Sequence, residues 1–239
     1  MLVARGFFDS RARARAAIEA GGVTADGRRV AKPSELIADE AEITAVAAHP
    51  WVGRGALKLI HALDLWGVPV ARRTVLDVGA STGGFTEVCL ARGAVRVFAV
   101  DVGRGQLHPT LAADPRVVSL EGVDARTLTS ELLPLPPDLV LADVSFISLE
   151  KAMPQALALA PEGADLIVLV KPQFEVGRGR VGKGGIVTDL EARAEALDAV
   201  KAFVATSGWV VQATTESPIT GGDGNQEYLI HATKKAAPR

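Results

Sequence analysis

From residue 74 onward, short and nearly continuous apolar runs alternate with stretches whose apolar positions recur every three or four residues. The runs at 74–78, 95–100, 117–120, 139–142 and 166–170 are rich in Val, Leu and Ile. Runs that short and that uniform predict strands buried on both faces. Between them, 84–92, 150–160 and 190–207 keep helical spacing. Strand–helix alternation predicts an α/β fold, a doubly wound, Rossmann-like parallel sheet with helices on both faces. Two further β-rich segments, 209–215 and 227–233, predict a hairpin at the sheet edge. Ahead of the first strand, Leu57, Ile60, Leu63 and Leu65 recur near helical spacing within 56–66, which places Lys58 on an amphipathic helix.

The first 46 residues have a different character. Residues 10–20 are rich in alanine and arginine and predict a helix with Ser10 as its N-cap, stopped by Gly21-Gly22. Val23-Thr24-Ala25 and Arg29-Val30 then flank Asp26-Gly27, a hairpin signal. Between Arg5 and Lys32 seven basic residues stand against three acids, a local charge of +4. This is a small α+β module with a positive face. Residues 47–54 carry Pro50 and Gly53 and read as a linker, which leaves 55–239 for the α/β domain. The run SRARARAAIEAGGVTADGRRVAKPSELI resembles the small RNA-binding domain named after ribosomal protein S-four. That resemblance implies that Arg11, Arg15, Arg28, Arg29 and Lys32 face phosphates; Arg5 and Arg54 extend the basic set. The family pattern opens with an R-L-D segment, so the resemblance implies a domain shortened at its N-terminus.

Composition narrows the classes. The 239 residues are 48% hydrophobic and 23% charged, as in ordinary globular proteins, and the net charge is −2. Any nucleic-acid binding must therefore come from local basic patches. The longest apolar runs fall far short of the roughly 20 residues of a membrane span, and no secretory leader pattern is present, so a cytoplasmic location without membrane contact is expected. The single cysteine, Cys89, cannot form an intramolecular disulfide and reads as a core residue. His49, His61, His108 and His231 show no ligand spacing, so no metal is expected.

The segment Asp77-Val78-Gly79-Ala80-Ser81-Thr82-Gly83-Gly84-Phe85 follows the first long strand and opens a helix. Glycines there allow tight turns and close backbone approach to a ligand at the point where α/β sheets bind nucleotides. The next strand ends at Asp101, 24 residues after Asp77, where a carboxylate can grip two ribose hydroxyls. Asp124, after the third strand, is placed for an adenine amino group. The glycine spacing departs from the G-x-G-x-x-G of nicotinamide dinucleotide sites. Asp77, directly ahead of the loop, would repel a pyrophosphate and suits the ammonium or sulfonium of S-adenosyl-L-methionine. The loop thus favours a methyltransferase over a nicotinamide dehydrogenase.

Four polar residues stand where strands end or a helix meets the cleft: Lys58, Asp143 after 139–142, Lys171 after 166–170, and Glu227 at the last strand. A lysine directly after an apolar strand is costly unless carboxylates or solvent receive its ammonium. Taken together, the four match a pattern. The chain resembles the FtsJ/RrmJ-type ribose 2′-O-methyltransferases, with their Lys-Asp-Lys-Glu tetrad, and within them the hemolysin-A (TlyA) branch. The blocks G-R-G-A-L-K-L, D-V-G-A-S-T-G-G-F, A-D-V-S-F-I-S-L, L-V-K-P-Q-F-E, G-K-G-G-I-V and S-P-I-x-G-x-x-G-N-x-E-Y-L recur in that order over essentially the whole chain. Gly53 stands where the branch commonly has serine.

The resemblance implies S-adenosyl-L-methionine as cofactor, Asp143 bordering it, and methylation of ribosomal RNA or ribosomal subunits on a cytidine ribose. A ribose hydroxyl must be oriented and relieved of its proton, and a lysine does that when burial and a neighbouring cation weaken its hold on its own. Lys171 is the expected base or orienting group, with Lys58, Asp143 and Glu227 positioning it. Arg178, Arg180 and Lys183, in a glycine-rich basic segment, are expected to form a loop over RNA phosphate. A binding-only ribosome-assembly factor is the rival reading, and a membrane-acting hemolysin a remote one. The sequence leaves the oligomeric state open.

Overall fold

The computed structural model describes residues 1–8 and 10–236, with the side chains of Ala12 and Arg178 outside the description. The chain divides into two compact units, Met1–Gly53 and Arg54–Arg239.

In the first unit, α1 (Arg11–Glu19) is capped by the Ser10 hydroxyl, which accepts from the Arg13 amide at 3.3 Å. Three short antiparallel strands follow: β1 (Val23–Ala25), β2 (Arg28–Arg29) and β3 (Ile43–Ala45), in the order β2-β1-β3. The expected hairpin forms, with Asp26 (φ 50°) and Gly27 (φ 74°) in its turn, but its second strand is one residue earlier than the apolar pattern suggests. Val30, whose amide still donates to the Val23 carbonyl at 3.0 Å, is buried in the core. The third strand was not anticipated, because three residues offer too short an alternation to read. Gly22 is required where it stands, since a Cβ there would lie 2.4 Å from the Val46 carbonyl oxygen. Ala17, Ile18, Val23 and Phe8 form the small core.

The second unit opens with α2 (Gly55–Trp66), closed by Gly67 at φ 65°. There follow β4 (Thr74–Val78), α3 (Gly84–Ala91), β5 (Arg96–Asp101), α4 (Pro109–Ala112), β6 (Val117–Glu121) and β7 (Leu139–Ala142). Next come α5 (Leu149–Ala152), α6 (Pro154–Leu159), β8 (Asp165–Val170), α7 (Pro172–Glu175), α8 (Leu190–Thr206), β9 (Trp209–Glu216) and β10 (Tyr228–Lys234). The sheet runs β6-β5-β4-β7-β8-β10-β9, with β6 through β8 parallel and β10 inserted antiparallel between β8 and β9. This is the doubly wound sheet the pattern predicts, with the C-terminal hairpin at its edge. The strand order reverses between β4 and β7, and there the cleft opens.

Leu76, Val140, Leu166, Val168 and Ile230 are buried on the face covered by α5, α6 and α8. The expected helix at 150–160 is two helices, because Pro154 lacks the amide that would continue the first. Cys89 is buried, as expected. Among the described residues no helix is long and apolar enough to cross a membrane, and no cluster of side chains is arranged to hold a metal.

Candidate active site

The glycine loop between β4 and α3 lies close to the end of β7. Gly79, at φ 82°, admits no side chain, because a Cβ would stand 2.7 Å from the Asp143 carbonyl oxygen. Ser81 sits at φ 47° and its amide donates to Asp101 at 2.8 Å. Gly83, at φ 96°, packs against Leu107 and Leu111, and Gly84 and Phe85 are buried at the start of α3; Thr82 is exposed. Beneath this loop is a cavity of about 580 Å³ whose wall includes Gly79, Ser81, Asp101, Asp124, Asp143 and Phe146. A site that lets backbone approach closely and ends in carboxylates fits an adenosine carrying a positive centre.

The acids around it are arranged differently from one another. Asp101 accepts from the amides of Ser81 and, at 2.7 Å, Gly103, so its two oxygens are oriented toward the loop before any ligand arrives. Asp124 is held by the Arg126 guanidinium and by its amide, contacts that keep its carboxyl below the usual range. Glu121, which the sequence did not single out, accepts from the amides of Gly105, Gln106 and Leu107 and thereby fixes the loop after β5. Asp77 departs from expectation. It is fully buried behind the loop, outside the cavity wall, and accepts from the Thr86 hydroxyl at 2.7 Å. Burial pushes its carboxyl up to about 7. Its Oδ1 is buried with no hydrogen-bond partner among the described residues.

Two lysine–carboxylate pairs close the other side. Lys58, 7% exposed on α2, lies 2.5 Å from Glu227, which is 2% exposed. Glu227 precedes β10 and does not open it. Lys171, following β8, has its Nζ 2.6 Å from Asp143 Oδ1, yet it donates its hydrogen bond to the Ser145 hydroxyl at 2.8 Å. Asp143 Oδ1 itself has no aligned donor among the described residues.

Sheet register gathers the pairs: Tyr228 faces Val170 across β10 and β8, so Glu227 and Lys171 are one step further on at the same end. Gly55, in the first turn of α2, would place a Cβ 3.3 Å from Asp143 Oδ2, so the helix that carries Lys58 also reaches Asp143. Gly221 approaches Glu227 as tightly, with 2.6 Å left for a Cβ. The four residues thus come together although they span most of the domain's sequence.

Phe146, at φ 67° and 91% exposed, stands at the mouth with its ring 5.2 Å from that of Phe174. A non-glycine residue held in this region costs about 1–3 kcal/mol and marks sites where geometry matters more than stability. The A-D-V-S-F block contained this residue and Ser145; only their positions in the cleft distinguish them from surface loop.

The basic residues are less uniform than their charges suggest. Arg5 is exposed, donates to the Ala41 carbonyl and lies over the Phe7 ring. Arg15 pairs with Glu19, and Arg28 reaches Glu35. Arg11, Arg15 and Lys32 line one groove of the first unit, and Arg29 is exposed. Arg54 donates to the Thr220 carbonyl. The glycine-rich segment is not all loop: it winds into two 3₁₀ turns, Arg178–Arg180 and Lys183–Gly185. Arg180 is engaged by Glu195 and Asp189, Lys183 is exposed, and the side chain of Arg178 lies outside the described residues.

A loop-and-carboxylate cleft of this topology defines a Rossmann-like methyltransferase, and comparison with known proteins makes the class specific. Residues 51–234 match the FtsJ-like methyltransferase family and residues 1–43 match the S4 domain. The chain belongs to the FtsJ-like methyltransferases, enzymes that draw their methyl group from S-adenosylmethionine.

It is 48% identical to the 16S/23S rRNA (cytidine-2′-O)-methyltransferase TlyA of Mycobacterium tuberculosis, over 96% of this chain and 86% of that one. It is 38% identical to the Hemolysin A of Brachyspira hyodysenteriae, over 95% of each chain. A solved structure from Streptococcus thermophilus, also carrying a hemolysin label, superposes with a TM-score of 0.80 at 38% identity, covering 99% of this chain and 87% of that one.

Proposed function

We propose that this enzyme methylates the 2′-hydroxyl of a cytidine in ribosomal RNA, acting on ribosomal subunits in the cytoplasm. Residues 1–46 bind RNA, 47–54 link, and 55–239 perform the transfer. The observation that carries the reading is the pair of buried lysine–carboxylate contacts, Lys171–Asp143 and Lys58–Glu227, at the mouth of the cleft lined by Gly79 and Asp101.

S-adenosylmethionine, when bound, supplies an electrophilic methyl on a sulfonium. Asp101 takes its ribose hydroxyls, Asp124 its adenine end, and the close-packed backbone at Gly79 and Ser81 shapes the remainder of the cavity. Thr82, Gly83, Gly84 and Phe85 set the loop's path into α3, and Asp77 braces it.

Lys171 orients the RNA 2′-hydroxyl and receives its proton. Asp143, 2.6 Å from the lysine Nζ, and the Ser145 hydroxyl hold that nitrogen in place for the incoming hydroxyl. Lys58 and Glu227 form the second wall. Alignment supplies most of the rate, since the attacking oxygen and the methyl need no covalent help from the protein. Arg5, Arg11, Arg15, Arg28, Arg29, Lys32, Arg54, Arg178, Arg180 and Lys183 are the phosphate contacts, and those now paired with acids exchange partners on binding.

The decisive test is transfer of radiolabelled methyl from S-adenosylmethionine to ribosomal subunits from cells lacking the enzyme. Lys171→Ala should lower the rate about 10²- to 10⁴-fold while cofactor binding persists. Absence of label with the intact enzyme, despite cofactor binding, would leave a binding-only protein.

A further inference from the structure

Beside the cofactor cavity lies a second one, of about 550 Å³, which the mechanism above does not use. The two share the wall formed by Phe146 and Ile147. Its apolar sides include the rings of Phe146, Phe174 and Phe203, and among its polar groups are Gln173 and Glu175. Both come from α7, the short helix that starts directly after Lys171, so the turn that places the lysine also places this cavity.

Glu175 is pinned by the Leu149 amide, which donates to its Oε1 at 2.9 Å, and its other oxygen has no protein donor among the described residues. Gln173 lines the cavity, while its Oε1 is buried without a partner. A buried acceptor with no donor is costly, and the side chain that carries this one forms part of the cavity wall.

Aromatic sides with acceptors among them suit a nucleobase that carries an exocyclic amine. We infer that this cavity receives the base of the nucleotide being methylated, and that Gln173 and Glu175 select cytosine by accepting the hydrogens of its N4 amino group. The inference rests on the RNA reading proposed above. Uracil would present its O4, an acceptor, to the same two acceptors. Gln173 can turn its amide end for end and offer its NH₂ instead. Glu175, its Oε1 already held by the Leu149 amide, has no amide to turn and so contributes the larger share of the selection.

The probes are ribosomal subunits whose methylated cytidine has been mapped, and the same subunits carrying uridine at that position. The intact enzyme should favour cytidine by about tenfold or more in kcat/KM. Glu175→Gln and Gln173→Leu should each bring that ratio toward one, with S-adenosylmethionine affinity, read by calorimetry, unchanged. Should one variant lose cofactor binding, the other decides. Equal rates on both RNAs with the intact enzyme, or variants that keep the full preference, overturn the inference. Label on neither RNA overturns the RNA reading itself, which is a separate result.

Discussion

The two ends of the seven-stranded sheet carry ion pairs of similar residues put to different use. At the amino ends of the parallel strands, Asp165 accepts from Arg73 at 2.6 Å and from His231 at 2.7 Å, and the His231 ring stacks on Trp66. Both contacts to Asp165 are aligned, and they tie β8 to the start of β4 and to β10. The neighbouring Asp138, whose carbonyl also accepts from Arg73, keeps a buried Oδ1 with no partner among the described residues. At the carboxyl ends, Lys171 is 2.6 Å from Asp143 but bonds to Ser145, and Asp143 keeps an oxygen without an aligned donor. Asp165 is anchored through both oxygens by donors from two neighbouring segments, whereas the Lys171–Asp143 pair borders the cleft and its lysine bonds a loop hydroxyl. Charge and burial alone would not tell the two apart.

The largest effect on stability is expected at the reacting end. Glu227→Ala leaves Lys58 buried without its acid and should cost about 3–5 kcal/mol in chemical denaturation. Replacing both partners with apolar residues, Lys58→Met with Glu227→Leu, should restore most of that loss and leave methyl transfer abolished. If the double variant remained active, the pair would be a staple like Asp165, and the comparison would fail.

Asp77 sharpens the contrast by its pH dependence. Its folded carboxyl titrates at about 7, raised from 3.8 by burial, so the folded state holds a proton the unfolded chain has lost. Stability therefore falls as pH rises from about 4 to 7 and is flat above, by up to about 4 kcal/mol. Asp77→Asn should flatten that slope in melting temperatures taken across the window; an unchanged slope would place its origin elsewhere.

Asp165→Ala should show the smallest loss, about 1–3 kcal/mol, with methyl transfer unaffected. Burial by itself would raise the Asp165 carboxyl, but hydrogen bonds from His231 and Arg73 together hold it below the ordinary value. Its contribution is therefore present above the unfolded carboxylate range and lost as pH falls through the folded value. The gap between intact protein and variant should narrow on acidification, the opposite sense to Asp77. A loss of transfer in this variant would mean that the two ends of the sheet are coupled.

Much of this was legible in the chain. The uniform apolar runs marked the parallel strands, because a strand covered on both faces has no polar side to show. Ser10 and Asp26-Gly27 announced their cap and turn through side-chain and backbone preferences that act within a few residues. The glycine loop and the blocks around Lys58, Asp143, Lys171 and Glu227 pointed to the cleft and its chemistry. What the chain did not show is which partner each charge takes: Asp77 accepts from Thr86, Arg5 donates to the Ala41 carbonyl, and Arg180 pairs with Glu195 and Asp189. Glu121, Phe146, Gln173 and Glu175 carried no signal of their own, since one acid or aromatic residue in a loop looks like any other.

The sequence alone determined the α/β class and the position of the nucleotide loop, because these follow from local preference and periodicity, and its resemblance to a known family pointed to the four residues of the candidate site. The tertiary structure decided which charges meet, which are silenced by a partner and which oxygen is left open. Those outcomes depend on contacts such as Lys58 with Glu227, 169 residues apart, and on close approaches such as Gly55 to Asp143. No local pattern encodes a distance between segments that only the packed sheet brings together.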